Sequence, residues 1–277
     1  MKKEFYRYCD EFLKYLLNIR GYSDETATTY SIAIKQMIEL SSISEDSGTV
    51  MIEITPLRVR IVKNSKKTIA KKLSAIRSFV KFLENHKNMK IMLRPNESIK
   101  VPQTLPKPVD ESYIHEAINS ATLEEKTIIY CLYGLGLRIS ELSNMKIDNI
   151  NDGWVQVRGK GDKVRELPIV PELSSVIKEY IHLFQPSVYL FESDKIQIGA
   201  SKLRYKLGKI FAQNGIKATP HQLRHSFATH LLNNGARISD VSELLGHSTM
   251  ATTQIYTRLG SSKKLSEYMN AHPLAKK

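Results

Sequence analysis

The stretch TPHQLRHSFATHLL, residues 219–232, places His221, Arg224 and His225 within five positions. Thr219, followed by Pro220 and then Gln222, has the form of a capping box with proline in the first turn, so a helix is expected to begin here. His221 then stands in a first turn whose free N–H groups and positive dipole end attract an anion. At i, i+3 and i+4 the three side chains share one face. His221 and His225 also have the spacing of the H-E-x-x-H zinc motif. Gln222 replaces its glutamate base, however, and Arg224 adds a cation where a divalent ion would sit. An ordinary polar helix start, with one histidine capping and one buried, is the plain alternative.

A second arginine, Arg138, follows the apolar run in IIYCLYGLGLRISELSNM, residues 128–145. A charge held near a core is costly unless paired. Glu141 is one available partner; a phosphate is the other, because a planar guanidinium meets two of its oxygens at once. Lys160 lies between two glycines in GWVQVRGKGDKVRELPIV, residues 153–170, with Lys163 as a nearby competitor. His247 follows Gly246, a helix stop, and Tyr256 lies in the next helix. Each of these taken singly has a bland explanation.

The elements that must carry these groups are mostly helical. FYRYCDEFLKYLLNI has Phe5, Phe12, Tyr15, Leu16 and Ile19 near the 3.6-residue period, and Gly21 should end that helix before Ser23, Asp24 and Glu25 open the next. In KKTIAKKLSAIRSFVKFLEN, residues Ile69, Leu73, Ile76, Val80 and Leu83 form one stripe, with Lys67, Lys71, Ser74, Ser78 and Lys81 opposite. That second face is basic and small enough to approach a phosphate backbone, or simply solvated. Residues 1 to about 94 read as all helix. RPNESIKVPQTLPKPV, residues 94–109, carries four prolines and no period, and marks a linker. Beyond it, Val155 and Val157 alternate with polar residues, a Gly-Lys-Gly-Asp turn follows, and the extended pattern resumes from Val164 to Ile169, which predicts a hairpin. VYLFES, residues 188–193, is a candidate third strand.

The bulk properties agree with a polyanion partner. Forty-one Lys and Arg against 28 Asp and Glu leave a net charge of +13, which draws nucleic acid through counterion release. Cys9 and Cys131 have no metal-type spacing and are expected to be small buried residues. No apolar run approaches the roughly 20 residues of a membrane span, and the basic start is interrupted by Asp10 and Glu11, so no signal peptide, no membrane and a cytoplasmic location are expected.

Taken together, SAIRSF, GLGLRISEL, RGKGDKVRELPI, HQLRHSFATHLL, LLGHS and TTQIYT make the chain resemble the tyrosine recombinase (phage integrase) family, most closely its compact Xer-type members. The resemblance implies a mainly α fold with a small antiparallel β-sheet. A helical SAM-like core-binding domain would occupy residues 1–98, a linker 99–108 and the catalytic domain 109–277. It implies a phosphate clamp of Arg138 and Arg224, supporting His221 and His247, Lys160 as the hairpin lysine and Tyr256 as nucleophile. His225 has no such counterpart and is read as structural support. Lys67, Lys71, Arg77 and Lys81 would face DNA. It further implies double-stranded DNA as partner, a homo-tetramer on two sites, room for a partner recombinase or DNA translocase, and no metal or cofactor. A type IB topoisomerase-like relaxation activity and a non-catalytic DNA-binding relative are the alternatives.

Overall fold

The computed structural model of the 277-residue chain describes residues 1–100, 107–151, 153–159, 163–246 and 262–275. It divides into two compact units, Met1–Thr104 and Leu105–Lys277. Among the described residues no helix is long and apolar enough to cross a membrane.

The first unit contains α1 (Lys2–Asn18), α2 (Asp24–Leu40), β1 (Ser42–Asp46), β2 (Thr49–Glu53), α3 (Thr55–Ile61), α4 (Lys66–Lys87) and β3 (Lys90–Arg94). In α4 the stripe Ile69, Leu73, Ile76, Val80 and Leu83 is buried as its period demands. Ser65 caps the start by accepting from the Thr68 N–H, and Asn88 ends the helix in the left-handed region. The stripe meets Phe5, Phe12 and Leu16 of α1 and Ile34 and Ile38 of α2 in one core. Ile19 departs from expectation: α1 stops at Asn18, and this residue lies past the last turn, 73% exposed.

The expectation of helix throughout residues 1–94 is overturned by a three-stranded sheet in the order β1-β2-β3. β1 and β2 are antiparallel around Ser47 and Gly48, both at positive φ (49° and 75°), the geometry of a tight primed turn. β3 returns parallel to β2, pairing Ile52 with Leu93. Strand runs this short give way to helical readings in a pattern search, because Val50 and Ile52 supply only one turn's worth of period.

The second unit runs α5 (Glu111–Ser120), α6 (Leu123–Ile129) and then a wider π-type turn over Tyr130–Gly134. α7 (Ile139–Ser143), β4 (Ile150–Asn151), β5 (Trp154–Arg158), β6 (Val164–Pro168) and α8 (Pro171–Phe184) follow. β7 (Glu192–Ser193), β8 (Ile196–Gln197), α9 (Ala200–Gln213), α10 (Pro220–Asn233), α11 (Ile238–Leu245) and α12 (Ser262–Ala271) complete it. Tyr133, Phe191, Phe211 and Phe227 are fully buried in its core. The hairpin forms as expected: β5 and β6 pair antiparallel from Trp154–Pro168 to Arg158–Val164. Its third strand is β4, however, and not residues 188–193. There Leu190 and Phe191 are core residues, and only Glu192–Ser193 form a strand, paired with β8. Cys9 and Cys131 are both buried free thiols, and burial pushes them up to about 11 and about 12.

Two features fix the loop that precedes α7. Gly136 has φ +59°, and a Cβ there would collide with the Phe227 ring at Cδ1, so only glycine fits. Two residues earlier, the Gly134 carbonyl accepts from His272 Nε2 at 2.7 Å, while His272 Nδ1 accepts from the Leu274 N–H at 3.1 Å. The tail beyond α12 thus folds back on its own unit, with Asn234 Nδ2 donating to the Ala271 carbonyl at 3.0 Å and Leu274 buried.

Replacing Gly136 by Ala should cost about 1–3 kcal/mol, read as a lowered midpoint in chemical denaturation. Burial lowers His272 to about 4 from its ordinary 6.5. Across that window the unfolded chain holds the extra proton, so stability should fall as the pH drops from 6.5 towards 4 and level off below it. Urea midpoints for wild type and His272→Gln at pH 7 and pH 5 test this, the variant giving the flatter profile.

Candidate catalytic site

The centre of the site is a carboxylate. Glu141, in the first turn of α7, turns back so that its Oε2 accepts from the Arg138 backbone N–H at 2.8 Å, closing the helix start. Its Oε1 accepts from Arg138 Nη1 at 2.7 Å. Arg165, on β6, grips both oxygens, Nη1 to Oε1 and Nη2 to Oε2 at 2.9 Å each, and donates Nε to the Leu244 carbonyl at 2.9 Å. Arg224, on α10, comes within 3.7 Å of Oε2. Its Nη1 donates to the Gly136 carbonyl at 2.7 Å and its Nη2 to the Leu245 carbonyl. Side-chain exposure falls from 38% for Arg138 to 13% for Arg165, 8% for Arg224 and 3% for Glu141.

Arg138 and Arg224, 86 residues apart in sequence, therefore meet around one anion, and among the described residues three guanidiniums against one carboxylate leave the pocket in positive excess. The electrostatics follow from this crowding. Burial lowers Arg224 to about 10, helped by the neighbouring Arg138 and opposed by Glu141, so it stays charged at neutral pH. Burial alone would raise Glu141; the bonds and charges of Arg165 and Arg138 outweigh it and hold the carboxyl below its ordinary range.

The helix start at 219–222 forms as its sequence predicts. Thr219 N–H donates to Gln222 Oε1 at 3.1 Å and Gln222 N–H to Thr219 Oγ1 at 3.2 Å, with Pro220 in the first turn. His221 is exposed at that N-terminus, Arg224 is buried one turn on, and His225 is half-buried beside it. Lys163 is exposed at the base of the hairpin turn, its carbonyl accepting from the Gly159 N–H at 2.8 Å. Lys160, His247 and Tyr256 lie outside the described residues.

Sequence reasoning missed two groups. Arg165 stands inside RGKGDKVRELPI, and nothing in that motif taken alone gives it a role. The usable signal is register: it pairs with Val157, a core residue, and directly opposed strand residues share a face, so a charge there needs a partner. His230, buried on α10, shares a 2.7 Å hydrogen bond with the Tyr133 hydroxyl and lies 3.6 Å from Glu111 Oε1. Burial lowers its proton affinity. It belongs with the scaffold, tying α10 to the π-type turn and the start of α5.

In the first unit Lys67, Lys71 and Lys81 are exposed on the face of α4 opposite its core stripe. Arg77 differs from them. Its Nε donates to Asn96 Oδ1 at 2.9 Å and its Nη2 to the Asn96 and Glu97 carbonyls at 3.2 and 3.0 Å. Arg58 Nη2 grips the same segment at the Pro95 and Glu97 carbonyls. Arg77 is thus a half-buried brace on the chain leaving β3, and the first residues of the stretch read as a linker are held against the first unit.

Comparison with known proteins agrees with this architecture. Residues 105–263 match the phage integrase family, and residues 9–87 match the phage integrase N-terminal SAM-like domain. The tyrosine recombinase XerA of Pyrococcus furiosus is 35% identical over 269 residues, covering 93% of this chain and 91% of that protein. A tyrosine recombinase XerC of Escherichia coli O1:K1 / APEC is 32% identical over 292 residues, covering 97% of both. The crystal structure of a lambda integrase (residues 75–356) dimer bound to a COC′ core site shares the fold, with a TM-score of 0.67 at 15% identity over 88% of this chain and 94% of that one. With both units matched and the likeness running almost end to end, the chain belongs to the phage integrase family, among its Xer-like tyrosine recombinases.

Proposed function

We propose that the protein is a site-specific recombinase that cuts duplex DNA through a 3′-phosphotyrosyl intermediate and joins the cut end to another strand. The observation that carries this is the meeting of Arg138 and Arg224 in one pocket with positive charge in excess. In-line attack on a phosphodiester builds negative charge on the non-bridging oxygens, and cationic donors already in place stabilise that charge more than the ground state. Tyr256 is the nucleophile: its phenolic oxygen bonds to phosphorus as the bond to the 5′ oxygen breaks. The phenol gives up its proton, with His221 as base assistant at the α10 N-terminus, and Lys160 delivers a proton to the departing 5′ oxygen. His247 supports the phosphate, and His225 the pocket wall. The phosphotyrosyl ester keeps the energy of the broken bond, so a second 5′ hydroxyl reverses the step without ATP.

In this reading residues 1–98 form a core-binding domain, residues 99–108 a tether and residues 109–277 the catalytic domain, each meeting duplex DNA. Lys67, Lys71 and Lys81 of α4 meet the backbone, with Arg77 acting behind them. Exchange between two sites takes four protomers, with a partner recombinase or a DNA translocase as further participants, in the cytoplasm. Chromosome-dimer resolution and integration or excision of a mobile element use this same unit.

The decisive experiment recovers the bound DNA by selection and presents it as a nicked duplex from which the cut strand diffuses away. Wild-type protein should accumulate a detergent-resistant protein–DNA adduct and Tyr256→Phe none; an adduct in the variant would remove Tyr256 from its role. Replacing Lys67, Lys71 and Lys81 together by Gln should flatten the dependence of log K on log salt by about 0.9 for each phosphate no longer neutralised, across specific and random duplexes alike.

A further inference from the structure

We infer that Arg165 is a positioning residue for the phosphate clamp: by holding both oxygens of Glu141 it frees Arg138 to leave that carboxylate for the DNA phosphate. This rests on the reading of Arg138 and Arg224 as the clamp, and gives a role to a residue that reading leaves idle.

The geometry sorts the three arginines. Arg138 touches Glu141 with one side-chain nitrogen and is the most exposed of them. To meet a phosphate with both ends of its guanidinium it must loosen that bond. Removing one partner of a buried ion pair is strongly destabilising, and the Arg138 backbone N–H and Arg224, 3.7 Å away, reach Oε2 alone, so the movement needs a cation that stays on both oxygens. Arg165 is built to stay. Its two terminal nitrogens take one Glu141 oxygen each, and its Nε is tied to the Leu244 carbonyl. Its backbone is locked in the ladder opposite Val157, and Gly246, the cap after α11, packs on it so closely that a Cβ there would lie 3.3 Å from Arg165 Cδ. Without Arg165, Glu141 would keep Arg138 and draw Arg224 more strongly, and the clamp would offer less positive charge to its ligand.

The test uses the full-length protein on the selected nicked duplex, in single turnover at saturating DNA. Arg165→Gln should form the covalent adduct about 100-fold more slowly, with unchanged final amplitude and a DNA dissociation constant within about threefold of wild type. The double variant Glu141→Gln with Arg165→Gln should be at least about tenfold faster than Arg165→Gln alone, because a neutral residue 141 no longer holds Arg138 back. A merely structural role would lower the amplitude and the melting temperature and leave the rate constant of the folded molecules alone. An Arg165→Gln rate within about threefold of wild type, or a double variant no faster than the single, overturns the inference. Should Arg165→Gln fail to fold, Arg165→Lys keeps the charge without the two-point grip, and an adduct rate less than about threefold below wild type, or no gain from adding Glu141→Gln, overturns it equally. Wild-type protein that forms no adduct sinks the recombinase reading and this inference together, whereas an adduct-forming wild type indifferent to Arg165 sinks this inference alone.

Discussion

One buried carboxylate organises the second unit. Glu141 takes hydrogen bonds from Arg138 and Arg165 and lies within ion-pair distance of Arg224, and these residues come from a loop, a strand and a helix far apart in sequence. A buried charge is tolerated only where its partners are placed well, so Glu141 demands that α7, β6 and α10 reach one point. The same demand brings Arg138 and Arg224 together. Three like charges would repel one another in a low-dielectric site, and the carboxylate lets them gather while leaving enough positive charge for an anionic ligand.

Local chemistry prepares each segment for that meeting. The capping box at Thr219 and Gln222 fixes where α10 starts, and hence which turn carries Arg224. The tight contact between Gly136 and Phe227 fixes the loop whose carbonyl receives Arg224 Nη1. The end of α11 is used twice, Leu244 by Arg165 and Leu245 by Arg224, which places cations where a helix C-terminus favours them. These bonds are backbone-mediated, so a conservative change in side-chain type at Leu244 or Leu245 leaves the acceptors in place.

What the sequence made legible was local. The α4 stripe, the capping box and the hairpin all arise from interactions within a few residues, and each is present. Arg138 and Arg224 could be paired only through the family resemblance, because nothing within either segment refers to the other. Arg165 lay in plain view but depended on register against Val157, a relation between strands. The β1-β2-β3 sheet escaped for a similar reason: β3 joins it from beyond α4, and five-residue strands carry too little pattern of their own. Arg77 looked like its lysine neighbours until the chain after β3 folded against it.

The hook formed by His272 ties the segment after α12 to the pocket. Its ring holds the carbonyl of Gly134, and two residues further along the same loop the carbonyl of Gly136 holds Arg224. A reading frame cut short after Ala271 would lose that hook together with the buried Leu274. Such a nonsense allele would then loosen the loop that holds Arg224, despite leaving every motif of the family untouched.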